Sequence, residues 1–235
     1  MSKVKNPFGL RNGAMITISD LQPDESGMNC KCICPDCNGV FIARMGKKRG
    51  HHFAHEKNAM CDSEKAFLVS LYRLMQEAVD EHKVFYYPGL YGAVLEKDLS
   101  HQLTVDEIKR NASLRSNKRP INGYEQIIQP GVMLPDHSAI VTGRDGKPTE
   151  IILVQRRTKG EDITLSVRLI PPPTVCKSFT AEESKLYSTL AIHIDRDLYN
   201  IKAEELKNIL TNTCDGKRWV KSPLTQQWLE KKVSE

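Results

Sequence analysis

Five of the seven cysteines and three of the seven histidines of this 235-residue chain fall between Cys30 and Cys61. Within that stretch Cys34-Pro35-Asp36-Cys37 is a C-x2-C pair followed by Asn38-Gly39. Such a turn presents two thiolates along one edge of a tetrahedron, the shape of a zinc knuckle. The opposite edge must come from later residues, and His52-Phe53-Ala54-His55 with Cys61 supplies them. The expected ligand set is Cys34, Cys37, His55 and Cys61, with His52 as the alternative imidazole. Zn2+ is the default ion for a mixed Cys/His site in a reducing compartment. Cys30 and Cys32 are either packing thiols or spare ligands, while Cys176 and Cys214 stand alone as ordinary residues.

The charge around this cluster is uneven. Residues 1–61 carry nine Lys/Arg against five Asp/Glu, so most of the net +5 of the chain lies there. Arg44, Lys47, Lys48 and Arg49 concentrate it in one turn, and a basic knuckle suggests a polyanion partner such as nucleic acid. Farther on, Arg156, Arg157 and Lys159 follow a strand and could contact phosphates. A protein partner is the other reading. Hydrophobic residues at 40% and charged residues at 27% describe an ordinary globular chain. No apolar run reaches the roughly 20 residues of a membrane span. Met1–Pro7 has no signal-peptide apolar region, so the expected location is the cytoplasm, where clustered thiols hold metal rather than disulfides.

The elements that must position the cluster are legible to different degrees. Residues 1–13 read as an irregular arm, and Ala14–Leu21 as a strand. Alternation from Cys30 to Cys34 predicts a strand with three cysteines on one face. Val40–Arg44 is a short strand, and Met45–Gly50 is the basic turn leading to the histidines. A helix opens after Cys61, capped by Asp62 or Ser63, and ends near His82. Its apolar stripe is Phe67, Leu71, Leu74, Met75 and Ala78, with Glu64 in line one turn earlier. Strands are expected at Val84–Tyr87, Tyr124–Gln129, Val132–Val141, Thr149–Gln155 and Ile163–Ile170, with a hairpin turn at Gly143–Gly146. A short helix is expected at Val105–Asn111. Thr180–Glu183 is a capping box for a helix reaching about Leu190, Ala191–Asp195 a buried strand, and Ala203–Leu210 a helix. No Gly-rich phosphate loop, G-x-S-x-G elbow or H-E-x-x-H motif is present. His193 reads as a packed strand residue.

The run C-P-D-C-N-G-V-F-I-A-R-M-G-K-K-R-G-H-H-F-A-H resembles the N-terminal module of competence protein CoiA-like proteins. The resemblance implies a zinc ribbon followed by a nuclease-like domain of the PD-(D/E)xK, or restriction-endonuclease-like, fold, with DNA as partner. It also implies an acidic helix residue, Pro-Asp on one strand and (D/E)-x-(K/Q) on the next, holding Mg2+ against a phosphodiester. The matching residues are Glu64, Asp136, Glu150 and Gln155. The pattern departs from the family at the last motif. Glu150 as ligand leaves Ile152 where Lys or Gln belongs, and Gln155 leaves Leu153 where the acid belongs. A β-bulge between them would reconcile the two.

The expected fold class is α/β (α+β): a zinc ribbon over 1–61, a mixed sheet flanked by helices over 62–200, and a helical tail over 201–235. The expected function is a zinc-binding, nuclease-like DNA-binding protein. Either the degenerate site still hydrolyses phosphodiesters with Mg2+, or the core is an inactive adaptor for DNA or a protein.

Overall fold

The computed structural model describes residues 4–46, 50–56, 60–88, 131–156, 158, 162–172, 188–194 and 197–221. The expected helix at Val105–Asn111, the strand at Tyr124–Gln129 and the capping box at Thr180 lie outside them.

The N-terminal arm is a hairpin, not irregular chain. β1 (Phe8–Arg11) pairs antiparallel with β2 (Ala14–Thr17), from Phe8 opposite Thr17 to Arg11 opposite Ala14. Asn12 and Gly13 make the two-residue turn with φ of 54° and 84°, the left-handed pair that matches strand twist. Short 3-10 turns follow, and Ile18–Asp20 replaces the end of the expected Ala14–Leu21 strand. The expected strand at Cys30–Cys34 is absent. Met28–Cys30 is a 3-10 turn, and Ile33 makes only single bridges to Leu10 and Val40. β3 (Phe41–Arg44) and β4 (His52–His55) then form a separate two-stranded ribbon.

α1 (Ser63–His82) starts where its cap is strongest, since Asp62 accepts from the backbone N–H of Glu64 and Lys65 at 2.9 and 3.3 Å. It ends at Lys83, whose φ of 53° turns the chain out of the helix. The buried face is wider than the apolar stripe and includes Ser70 and Tyr72. Tyr72 is fully buried because its hydroxyl donates to the Thr149 carbonyl at 2.8 Å and accepts from the Leu169 N–H at 3.1 Å.

β5 (Phe85–Tyr87) pairs with β6 (Gly131–Met133). The expected single strand Val132–Val141 is broken at Pro135, which has no N–H for a ladder, and restarts as β7 (His137–Thr142). β8 (Pro148–Gln155), β9 (Ile163–Ile170), β10 (Ser188–His193) and β11 (Lys217–Lys221) complete a five-stranded sheet in the order β11-β10-β9-β8-β7. β9 and β10 are parallel and the other neighbours antiparallel, so the sheet is mixed. Residues 188–190, expected as the end of a helix, are strand because they pair with β9. The expected helical tail likewise contributes β11 to the sheet.

α1 covers one face of the sheet, burying Ile151, Leu153, Leu165, Val167 and Leu169 in the main core. α2 (Ala203–Asn212) packs beside α1 and has no capping side chain of its own at Lys202. Asp20 serves instead, its Oδ2 accepting from the Ala203 N–H at 3.2 Å. Lys207 of α2 is buried and reaches Glu77 and Glu81 of α1 at 2.6 and 2.7 Å. Among the described residues, no helix is long and apolar enough to cross a membrane.

Lys217 is a second buried lysine. Its ammonium donates to the Tyr86 carbonyl at 2.6 Å and lies 4.0 Å over the Phe85 ring, tying β11 to the β5–β6 ribbon. Burial pulls its pKa down to about 7, against the opposing fields of Cys214 and Asp215. Between about pH 7 and the ordinary value of 10.5 the unfolded chain therefore binds more protons at this site, so stability rises with pH across that window. Lys217→Met is expected to flatten this rise. Denaturant midpoints of both proteins at about pH 7 and about pH 9.5 check it, and equal slopes would exclude Lys217 as the source.

Candidate metal centre

The knuckle turn is closed by backbone hydrogen bonds. Asn38 N–H donates to the Cys34 carbonyl at 2.9 Å and Cys34 N–H to the Gly39 carbonyl at 2.8 Å, with Asn38 at φ 58°. The N–H groups of Cys37 and Asp36 donate to the Cys34 sulfur, partly offsetting the burial that pushes its pKa up. Burial also pushes the Cys61 thiol up. The β3–β4 register sets Phe41 opposite His55, and their rings meet edge to face at 4.7 Å between centroids. That contact aims His55 Nε2 at Cys37 Sγ, 3.2 Å away. Cys61 arrives from the start of α1.

The donor atoms of Cys34, Cys37, His55 and Cys61 all lie within 4.8 Å of one another. Tetrahedral bonds of ~2.3 Å to sulfur and ~2.0–2.1 Å to nitrogen set ligand atoms roughly 3.5–3.8 Å apart, so small adjustments would seat an ion. Gly39 keeps the approach open: a Cβ there would stand 3.3 Å from Cys37 Sγ and 3.4 Å from His55 Cδ2. Three sulfurs and one imidazole make a Cys3His group that could bind a metal such as zinc. His52 is not part of it. Strand alternation turns His52 to the other face of β4 from His55, and its Nδ1 lies 2.9 Å from the Gly50 carbonyl oxygen. Cys30 and Cys32 are packing thiols. Both are buried, Cys32 S–H donates to the Cys30 carbonyl at 3.1 Å, and they pack with Ile18, Phe41 and Phe53.

The structure does not bring the four acidic-site candidates together. Asp136 and Gln155 lie at one end of the β7–β8 pair, where Asp136 Oδ2 accepts from Arg156 N–H at 2.6 Å and Gln155 Oε1 from Leu134 N–H at 3.1 Å. Glu150 pairs across from Val141, five residues along from Asp136 or roughly 16 Å at strand rise. It also faces away from α1. Its carboxylate accepts a short hydrogen bond from Ser166 and lies 3.8 Å from Arg168 Nε on β9. The one register shift between β7 and β8 falls at Val141/Thr142, so residues 150–155 alternate without a bulge and Leu153, fully buried, holds the inward position. Glu64 sits at the opposite end of α1 from the Asp136 region, bound to Lys147 Nζ at 3.0 Å. Glu81, His82 and Glu204 also converge, but Lys207 already neutralises Glu81.

Of the basic candidates, Arg44 and Arg156 are exposed. Lys47, Lys48, Arg49, Arg157 and Lys159 lie outside the described residues. Two residues that spacing did not single out, Asp36 and Lys65, pair at 3.2 Å beside the cluster. The acid inside C-P-D-C was the available signal.

The molecule is thus a mixed α/β protein whose cysteine cluster fits a zinc-ribbon-like module ahead of the sheet. Residues 21–64 match the family model described as competence protein CoiA, N-terminal domain, so the chain carries a CoiA-like N-terminal domain. Comparison with curated proteins and with solved structures finds no match.

Two outcomes are expected. Elemental analysis after dialysis should find His52→Ala retaining the metal of the wild-type protein and His55→Ala losing it; the reverse pattern would reassign the imidazole. Glu150→Ala strips Arg168 of its counter-charge and should cost about 1–3 kcal/mol in chemical denaturation, whereas an unchanged midpoint would mean the pair is idle.

Proposed function

We propose that this chain is a zinc-stapled, nuclease-like protein that binds DNA through its basic N-terminal module and does not cleave it. The observation that carries the reading is a contrast within one molecule. The Cys3His donors converge, while Asp136 is separated from both Glu64 and Glu150. A metal-dependent nuclease needs carboxylates meeting at a common point to hold Mg2+ against the scissile phosphate. Leu153, on the same face of β8 as Gln155, is buried and apolar.

Zinc is the ion that three thiolates and an imidazole suit best. Its role is structural, because all four positions are taken by protein ligands. DNA as partner is supported by the CoiA-like domain and by the charge of residues 1–61. Phosphate contacts by exposed Arg44 and its neighbours would supply affinity that is independent of sequence and falls with salt.

Fluorescence anisotropy with a labelled duplex, at low and moderate salt, tests the binding half. Binding is expected to weaken steeply with salt, and Arg44→Glu should lower both the affinity and the salt slope, the slope by about one. Absence of binding at low salt would end the DNA reading. Incubation of linear, nicked and single-stranded DNA with Mg2+ or Mn2+ tests the other half. No cleavage is expected; cleavage abolished by Asp136→Ala would restore the enzyme.

A further inference from the structure

Asp36 stands inside the knuckle, between the ligands Cys34 and Cys37, with its side chain 15% exposed. Its Oδ1 lies 3.2 Å from Lys65 Nζ, and its Oδ2 lies 3.7 Å from the Cys61 thiol, a contact that loses its proton when Cys61 ligates a metal as thiolate. Lys65 belongs to the first turn of α1, where its N–H is capped by Asp62, the residue after Cys61. The Asp36–Lys65 ion pair thus joins the turn that carries two ligands to the first turn of the helix that delivers the third.

We propose that Asp36 and Lys65 form a positioning pair for the metal centre, holding Cys61 in place against the Cys34–Cys37 knuckle. The inference rests on the reading of the Cys3His group as a metal centre. The pair is needed because Cys61 reaches the site from a different element than the other donors. The knuckle is fixed by its own turn, and His55 by the β3–β4 ladder and Phe41. Cys61 has no ladder to hold it.

Charge explains why the pair is an ion pair rather than a lone acid. Three thiolates, a neutral imidazole and a divalent cation sum to one negative charge, and Asp36 beside Cys61 adds a second. Among the described residues, Lys65 is the cation in ion-pair reach of Asp36. The nearby Lys147 is engaged by Glu64 at 3.0 Å and stands 4.0 Å from Asp62. Lys65 therefore lets a carboxylate sit against an anionic cluster without driving it apart. Groups that orient metal ligands in this way typically account for 10–100-fold in affinity.

The test is a titration of the full chain with Co2+, read by its visible d–d and sulfur-to-cobalt bands, together with Zn2+ affinity by chelator competition. Asp36→Ala and Lys65→Ala are each expected to weaken Zn2+ binding about 10–100-fold and to lower the charge-transfer intensity as Cys61 leaves the ion. The double variant should cost no more than the worse single one, since the two act as a unit. Lys65→Arg should recover most of the loss. A general loss of packing would move neither the thiolate count nor the arginine rescue in this pattern. If Asp36→Ala does not fold, the two Lys65 variants carry the test, because that side chain is 34% exposed. Wild-type affinity and spectrum in Lys65→Ala, or arginine no better than alanine, would overturn the pair. Failure of the wild-type chain to bind Co2+ at all would instead remove the metal centre itself.

Discussion

Cys61 is followed directly by Asp62, the N-cap of α1, and this covalent joint between a metal donor and a helix start constrains the rest of the molecule. The helix cannot shift along its axis without moving a ligand. The knuckle in turn cannot open without disturbing the first turn of the longest element described. Packing repeats the same coupling one residue at a time. Ala66 belongs to the small cluster around Cys30, Cys32, Cys34, Phe41 and Phe53, whereas Phe67 belongs to the main core with Leu153 and Val167. Two hydrophobic clusters thus meet on successive residues of one helix. A module of this size is marginal by itself, and the shared helix adds Ala66 to its small apolar cluster.

The same helix ties down the sheet. Tyr72 joins β8 to β9 through one hydroxyl, and Lys147 at the β7–β8 hairpin reaches Glu64 in the first turn. Glu64 is therefore an anchor for the hairpin. The N-terminal hairpin is held from the other side, where Thr17 Oγ1 donates to the Ile201 carbonyl at 2.7 Å and Asp20 caps α2. Residues far apart in the chain thus complete one another's backbone hydrogen bonds, as buried polar groups require.

How much of this was legible depended on whether the signal was local. The four donors named from spacing are the ones the fold brings together, because C-x2-C turns and helix caps are decided by neighbours. Asp62, His82 and the Gly143–Gly146 turn could be placed for the same reason. Asn12-Gly13 was equally local and marked a hairpin that composition alone had hidden. Cys30–Cys34 misled because alternation promised a strand, whereas among the described residues it makes only single bridges at Ile33. β11 gave no signal within its five residues, since its identity as a strand comes from β10. The direction of Glu150 lay between these cases. Period two placed it opposite Leu153 in the sequence, but only the register showed that no bulge intervenes.

That register also decides how far the acidic residues are from a working set. α1 runs parallel to β8, with Glu64 beside the hairpin at Lys147 and Gln76 beside Ser138, whose hydroxyl it reaches at 3.3 Å. At 1.5 Å per residue, these two helix positions are about 18 Å apart, so no rotamer change carries Glu64 to Asp136. Glu150 is excluded by face as well as by distance. Of the positions in the expected motif, 153 lies on the same side of the sheet as Asp136 and Gln155. Leu153 is fully buried there against α1, and a carboxylate in its place would be desolvated with no cation supplied by the surrounding Ile151, Leu165 and Val167. The position that the (D/E)-x-(K/Q) pattern gives to an acid is thus a packing position in this sheet.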